Sequence, residues 1–223
     1  MDGAGEMGSK PRRRIDAKRV LAQTREVAEP DLLDWILAFF YASEGTVPSR
    51  VHLQKALFIA SKHLRDLAEV AEFKAYRMGA WSDSVHDALE QALANGWVTE
   101  RMGQLELSEL AYDRARSSWH SLSDKDRSVL GEIARFIKGM DRDELLLYTY
   151  LVYGGGEKSD VIDRLLRKRR EIAESLLAKG LISTGLAAEL AGMPYAEFVD
   201  HLRRKGVKPF TVDAGDVDAA ASL

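Results

Sequence analysis

Apolar residues recur at a helical period along most of the chain. In PDLLDWILAFFYASEG, Leu32, Leu33, Ile36, Leu37, Phe40 and Tyr41 fall on one face, with Pro30 near the start and Gly45 past the end. SRVHLQKALFIASKHLRDLAEV repeats the period through Val51, Leu53, Leu57, Phe58, Ala60 and Leu64, behind the capping residue Ser49. FKAYRMG alternates as a short strand. Ser82 caps a further helix with the stripe Val85, Ala88, Leu89, Ala92 and Leu93, which Asn95-Gly96 stops. WVTER and QLELS pair as a hairpin around Met102-Gly103, and Ser108 opens a helix that reaches about Trp119. The order helix, helix, short strand, helix, hairpin, helix predicts a winged helix over residues 30–120.

The pattern stays helical beyond about Ser121, so residues 121–212 are expected to form an all-α domain. Ser123 caps one helix and has Asp126 at the third helical position; DRDELLLYTYLVY gives another, ending at Gly154. A long helix is predicted from Ser159 to about Lys179. TGLAAELAG and YAEFVDHLRRKG follow, joined by Gly192-Met193-Pro194. Small Ala187 and Ala188 permit a close crossing, and Leu190, Phe198 and Leu202 can fill the wedge, so residues 183–206 read as a helix-turn-helix. The fold class is mainly α. Residues 1–29 read as a basic flexible tail and 213–223 as a loose acidic one.

Composition narrows the function classes. The chain has 223 residues, a net charge of -3 and no cysteine. A globally basic nucleic-acid binder is not indicated, so any basic surface must be local. Thiol chemistry and cysteine-ligated metals are excluded, and a cytoplasmic location is expected. No apolar run approaches the ~20 residues of a membrane span. The histidines His52, His63, His86, His120 and His201 form no metal-binding spacing, and no nucleophile motif or Gly-rich phosphate loop is present. The expectation is a non-enzymatic protein without cofactor or metal.

Two surfaces stand out as binding candidates. Arg164, Arg167, Lys168, Arg169 and Arg170 form a basic band suited to phosphate, with Arg203, Arg204 and Lys205 ending the last helix, Tyr195 near its start, and Arg12, Arg13 and Arg14 in the tail. The plain alternative is a solvated helix face with ion pairs from Arg167 to Glu171 and Arg170 to Glu174. By contrast, the helix from Ser82 to Asn95 carries Asp83, Asp87 and Glu90 and no Lys or Arg. With a Debye length of about 8 Å in 0.15 M salt, those carboxylates would repel phosphate at close range. That helix, with Trp81, Asp83, His86, Asp87 and Glu90, therefore reads as a face for a protein partner or a second subunit.

Two segments also resemble known families. HLQKALFIASKHL, followed by FKAYRMGAWSDSVHDALEQALANGWV, is similar to the Panacea-type (SocA-like) antitoxin domain and related winged-helix proteins over about residues 32–120. Ala80 stands where a proline usually follows the glycine. The stretch from about Leu145 to Val212, carried by KGLISTGLAAELAGMPYAEFVDHLRRKGV, resembles a small family of predicted helix-turn-helix antitoxins common in archaea; Gly154-Gly155-Gly156 replaces a Tyr-Pro-containing loop. These resemblances imply a non-enzymatic regulator of antitoxin or transcription-factor type that binds DNA or RNA, a protein partner, or both. The alternative is a protein-interaction adaptor or ribosome-associated factor without sequence readout.

Overall fold

A computed structural model describes residues 30–77 and 79–206. Its centre is α1 (Leu32–Ala42), in which Leu33, Trp35, Ile36, Leu37, Ala38, Phe39 and Phe40 are all buried. A helix apolar on nearly every side belongs inside, and other elements wrap it. Asp31 caps it by accepting from the Asp34 amide at 2.8 Å. Chain order continues with β1 (Thr46–Val47), α2 (Arg50–Ser61), α3 (Arg65–Ala71), β2 (Lys74–Tyr76), β3 (Gly79–Trp81), α4 (Asp83–Ala94), β4 (Val98–Arg101) and β5 (Gln104–Leu107). After a 3-10 turn at Glu109–Ala111 come α5 (Tyr112–Ser121), α6 (Asp124–Lys138) and α7 (Arg142–Tyr153). The last four helices are α8 (Ile162–Arg167), α9 (Arg169–Ala178), α10 (Thr184–Ala191) and α11 (Tyr195–Arg204). The protein is mainly helical.

One antiparallel sheet has the order β1-β5-β4, with Val47 opposite Leu105 and Val98 opposite Leu107. The β4–β5 turn places Met102 and Gly103 at φ of 51° and 86°, the twist that tight hairpins need. A second hairpin pairs β2 with β3 and sets Lys74 opposite Trp81. Two strands, β1 and β3, escape the periodicity reading: β1 has only two residues, and β3 opens on a glycine, which has no side chain to mark a face.

Three predicted helices are also corrected. The single helix read over SRVHLQKALFIASKHLRDLAEV is two, α2 and α3, parted between Ser61 and Arg65. The helix expected from Ser108 starts as a 3-10 turn and becomes α-helical at Tyr112. The long helix expected from Ser159 to Lys179 is two helices, broken at Lys168 with φ −101° and ψ 3°. No breaker residue marks that site. The Ser159 hydroxyl donates to Tyr150 Oη at 3.0 Å, which turns it inward and delays the start to Ile162. Arg169 is held by α10, as described below. Tertiary contacts here outweigh helix propensity.

A single apolar cluster runs from Leu33 through Leu57, Leu130 and Leu146 to Phe198 and Leu202. The boundary read near Ser121 lies between α5 and α6, and helices on both sides contribute to this cluster.

Candidate partner and nucleic-acid surfaces

The acidic helix α4 is less bare than its sequence. Arg50, at the start of α2, hydrogen-bonds Glu90, and its Nε and Nη2 reach Glu100 of β4 at 3.0 and 2.8 Å. Lys74 of β2 pairs with Asp83, which also accepts from Trp81 Nε1 at 2.9 Å. Both carboxylates are held below their usual pKa range, Glu90 first by its hydrogen bond from Arg50 and Asp83 first by that from Lys74. Asp87 is exposed. The Trp81 ring lies 5.6 Å from His86 and 6.3 Å from Tyr76, and His86 Nδ1 is 3.9 Å from Glu90. Trp81, Asp83, His86 and Glu90 thus form one continuous patch. Tyr76, Lys74 and Arg50 belong to it as well; sequence reasoning missed them because they come from other elements.

Behind this patch the strand β3 is clamped from both sides. On the α2 side, Gln54 donates to the Ser82 carbonyl at 2.9 Å and accepts from the Ser82 amide at 3.1 Å. Lys55, only 1% exposed, gives its ammonium to the Ala80 carbonyl at 2.5 Å. Burial pushes the Lys55 pKa down to about 8. On the other side Tyr150 packs against Gly79, at φ 75°, where a Cβ would strike its ring, and it meets Gly156 in the same way. The Asp160 amide donates to the Arg77 carbonyl at 2.9 Å. The three-glycine loop therefore closes onto the β2–β3 hairpin. Gln54 and Lys55, polar positions inside LQKALFIA, were the available sequence signal: polar residues amid an apolar run need internal partners once buried.

At the C-terminal end the basic band divides. Arg164 forks onto Asp143 of α7 at 2.5 and 2.7 Å. Arg169 donates to the carbonyls of Leu190 at 2.7 Å and Glu189 at 3.0 Å in the last turn of α10, the second shared with the Gly192 amide. Its guanidinium occupies the space where Gly192, at φ 69°, would carry a side chain. Arg167, Lys168 and Arg170 remain exposed around this junction. The ion pair expected between Arg170 and Glu174 is long, 3.9 Å, and Arg167 has none with Glu171 among the described residues. Glu174 instead meets His201 Nε2 at 2.7 Å and Lys205 Nζ at 2.6 Å. Burial alone would raise its pKa; the hydrogen bonds from Lys205 and His201 outweigh that and hold it low.

Arg169 ties the start of α9 to the end of α10; the exposed Arg167, Lys168 and Arg170 are its neighbours in sequence, and Arg170 reaches toward Glu174, whose other partners are His201 and Lys205. Tyr195, exposed, opens α11; Ala187, Ala188, Leu190, Phe198 and Leu202 are buried beneath it, in the wedge expected from the sequence. Arg203 lies 3.6 Å from Asp200, and Arg204 is exposed at the far end. Arg12, Arg13 and Arg14 lie outside the described residues. Among the described residues no group of three or more acidic or histidine side chains is arranged for a metal, and no helix is long and apolar enough to cross a membrane.

Residues 160–222 match the model of an uncharacterised protein family (UPF0175), which takes in α8 to α11 and continues past the described residues. No curated protein and no solved structure matches the chain.

Proposed function

We propose that this chain is a non-enzymatic nucleic-acid-binding regulator of antitoxin or transcription-factor type, whose α9–α11 unit meets DNA while its N-terminal half holds a protein partner. The observation that carries this reading is the anchoring of Arg169 on α10. It fixes the segment that carries the exposed Arg167, Lys168 and Arg170 against the end of α10, next to the two-helix unit whose second helix would be docked on DNA with phosphates at its flanks. Tyr195 is then the side chain placed to reach a base edge, and Arg204 a second phosphate contact. Arg164, Arg169, Arg203 and Lys205 have internal partners and serve the fold first. The resemblance of this stretch to predicted helix-turn-helix antitoxins supports the same assignment.

For the N-terminal half we propose a winged helix. Its support is the element order and the placing of β1 on the outer side of the β4–β5 hairpin, together with the Panacea-type resemblance. With Asp83 and Glu90 already matched by Lys74 and Arg50, the α4 patch is a mixed-charge aromatic surface, which suits a protein partner better than phosphate. A cytoplasmic site of action fits this reading.

The test is fluorescence anisotropy of the full chain with random duplex DNA and structured RNA across a salt series. Binding should weaken steeply with salt, with a slope near 0.9 per phosphate contact. Replacing Arg167, Lys168 and Arg170 by Ala should flatten that slope by roughly two to three. Unchanged binding in that variant would move the interface elsewhere. Absence of binding at low salt would favour the second reading, a protein-interaction adaptor, for which the internal pairing of Arg164, Arg203 and Lys205 is the specific support.

A further inference from the structure

A cleft of about 380 Å³ opens between the end of α2, α6 and α7. Its floor is Ile59 and Ile133, both buried. Three rings wall it at steep mutual angles: Phe136 and Tyr148 are 4.9 Å apart at 67°, and Tyr148 and Tyr153 are 6.1 Å apart at 62°. Its rim carries His63, whose Nε2 lies 3.4 Å from Tyr153 Oη, and Glu132. Among the described residues Glu132 accepts only from the Ser128 hydroxyl, at 3.3 Å, and forms no ion pair. An apolar cleft with a few convergent polar groups is the usual form of a binding site.

The chemistry of the lining selects the ligand. No Lys or Arg lines the cleft, so it holds no fixed cation to balance a phosphate or carboxylate. Tyrosine and phenylalanine faces attract cations within about 6 Å of the ring centre. The fold uses this attraction elsewhere, with Lys62 4.5 Å over Phe58 and Arg114 4.2 Å over Trp97. An unpaired carboxylate at the rim of tilted aromatic walls fits a planar guanidinium, which stacks on rings and donates in a fork to one carboxylate.

We propose that this cleft receives an arginine side chain of a partner polypeptide, stacked among Phe136, Tyr148 and Tyr153 and paired with Glu132. The site is independent of the nucleic-acid reading and survives its failure.

The experiment titrates the full chain with the peptide acetyl-Gly-Arg-Gly-amide, followed by two-dimensional amide NMR. The control peptide carries citrulline, which keeps the shape and loses the charge. Shifts should cluster at His63, Glu132, Phe136, Tyr148 and Tyr153, with the citrulline peptide about tenfold weaker. Glu132→Gln, an exposed change, should weaken the arginine peptide by about tenfold and leave the citrulline peptide unchanged; a tenfold ratio is the size of one charge-assisted contact. Tyr153→Leu should weaken both. Equal binding of the two peptides would overturn the proposal, as would shifts centred elsewhere or none at millimolar peptide. Binding of free agmatine with no binding of the peptide would overturn the polypeptide source.

Discussion

In the N-terminal half a buried ammonium, Lys55, faces a single carbonyl; in the C-terminal half the buried carboxylate Glu144 and the half-buried Glu174 are each met by cations. The first arrangement brings no anion to the charge among the described residues. The second surrounds it: Glu144, 1% exposed, accepts from Lys179 at 2.8 and 2.7 Å, from Ser175 at 2.6 Å and from the Asp141 amide at 2.7 Å. Burial alone would raise the Glu144 pKa, but the Lys179 and Ser175 hydrogen bonds bring it below its usual range. The consequence is that the two halves answer to pH from opposite sides. A charge met by ions stabilises the fold while it stays ionised; a charge met by one dipole costs stability for as long as it stays ionised.

The largest effect tests the surrounded charge. Glu144→Ala removes the acceptor of Lys179, Ser175 and the Asp141 amide together; with Lys179 itself 39% exposed, the expected cost is about 2–3 kcal/mol, the size of a charge-assisted hydrogen-bond set. Urea unfolding at neutral pH reads it. Below pH ~4.5 the gap between variant and wild type should close. A carboxylate with a lowered folded pKa contributes stability above its unfolded value of about 4.3, and that contribution fades as pH falls through the folded value. Asp143, held low first by its hydrogen bond from Arg164, and Glu174 act in the same direction. A gap that stayed constant down to pH 3 would mean that Glu144 matters only as a cap.

The second test addresses Lys55. Its folded pKa of about 8 lies below the unfolded value of about 10.4, so the unfolded chain binds the extra proton. Stability should therefore rise as pH climbs from about 8 to 9.5, by roughly 1.5 kcal/mol, the slope growing from about half of 1.4 kcal/mol per unit at pH 8 toward the full value. Above that window the tyrosines oppose it, since burial raises both Tyr150 and Tyr148, the latter to about 12. Lys55→Met should abolish the rise between pH 8 and 9.5. A rise that persisted in Lys55→Met would assign it to another group and dissolve the contrast between the halves.

Both buried charges show what a sequence can and cannot disclose. The caps Ser49, Ser82, Ser123 and Ser183 were readable, because a capping bond spans three residues and lies within one stretch of chain. The wedge of Leu190, Phe198 and Leu202 was readable because its spacing is helical. The partners of charges were not. Arg50 reaches across 40 and 50 residues, Arg164 across 21 and Lys179 across 35. The sequence therefore overstated both the acidity of α4 and the free basicity of α8 and α9. Of the cation band, only the exposed Arg167, Lys168 and Arg170 kept the character their positions implied, and the aromatic cleft drew on three helices that no local pattern joins.

A smaller effect concerns the junction that displays those cations. Gly192→Ala forces a side chain into left-handed backbone, worth about 1 kcal/mol, and displaces the Arg169 guanidinium from the α10 carbonyls. The loss should be about 1–2 kcal/mol in urea unfolding, combining backbone strain with one charge-assisted hydrogen bond. Combining it with Arg169→Ala should cost less than the sum of the single changes, since both break one contact. Strict additivity would mean that Arg169 is not held by that turn.

The smallest expected effect lies on the acidic face. Arg50 ties α2 to both α4 and β4, yet its side chain is 33% exposed and Glu90 47%. Such pairs usually contribute about 0–1 kcal/mol and weaken with salt. A double-mutant cycle of Arg50→Ala with Glu90→Ala should return a coupling of about 0.5 kcal/mol at low salt and less at high salt. The coupling matters less for stability than for the field it sets. Without Arg50, Glu90 joins Asp87 as a bare carboxylate, and the α4 face takes on the acidity its sequence suggests. A coupling that held at high salt would mean that water is excluded from the pair. The N-terminal half would then also surround its charges wherever an anion is within reach, leaving Lys55 as the exception rather than the rule.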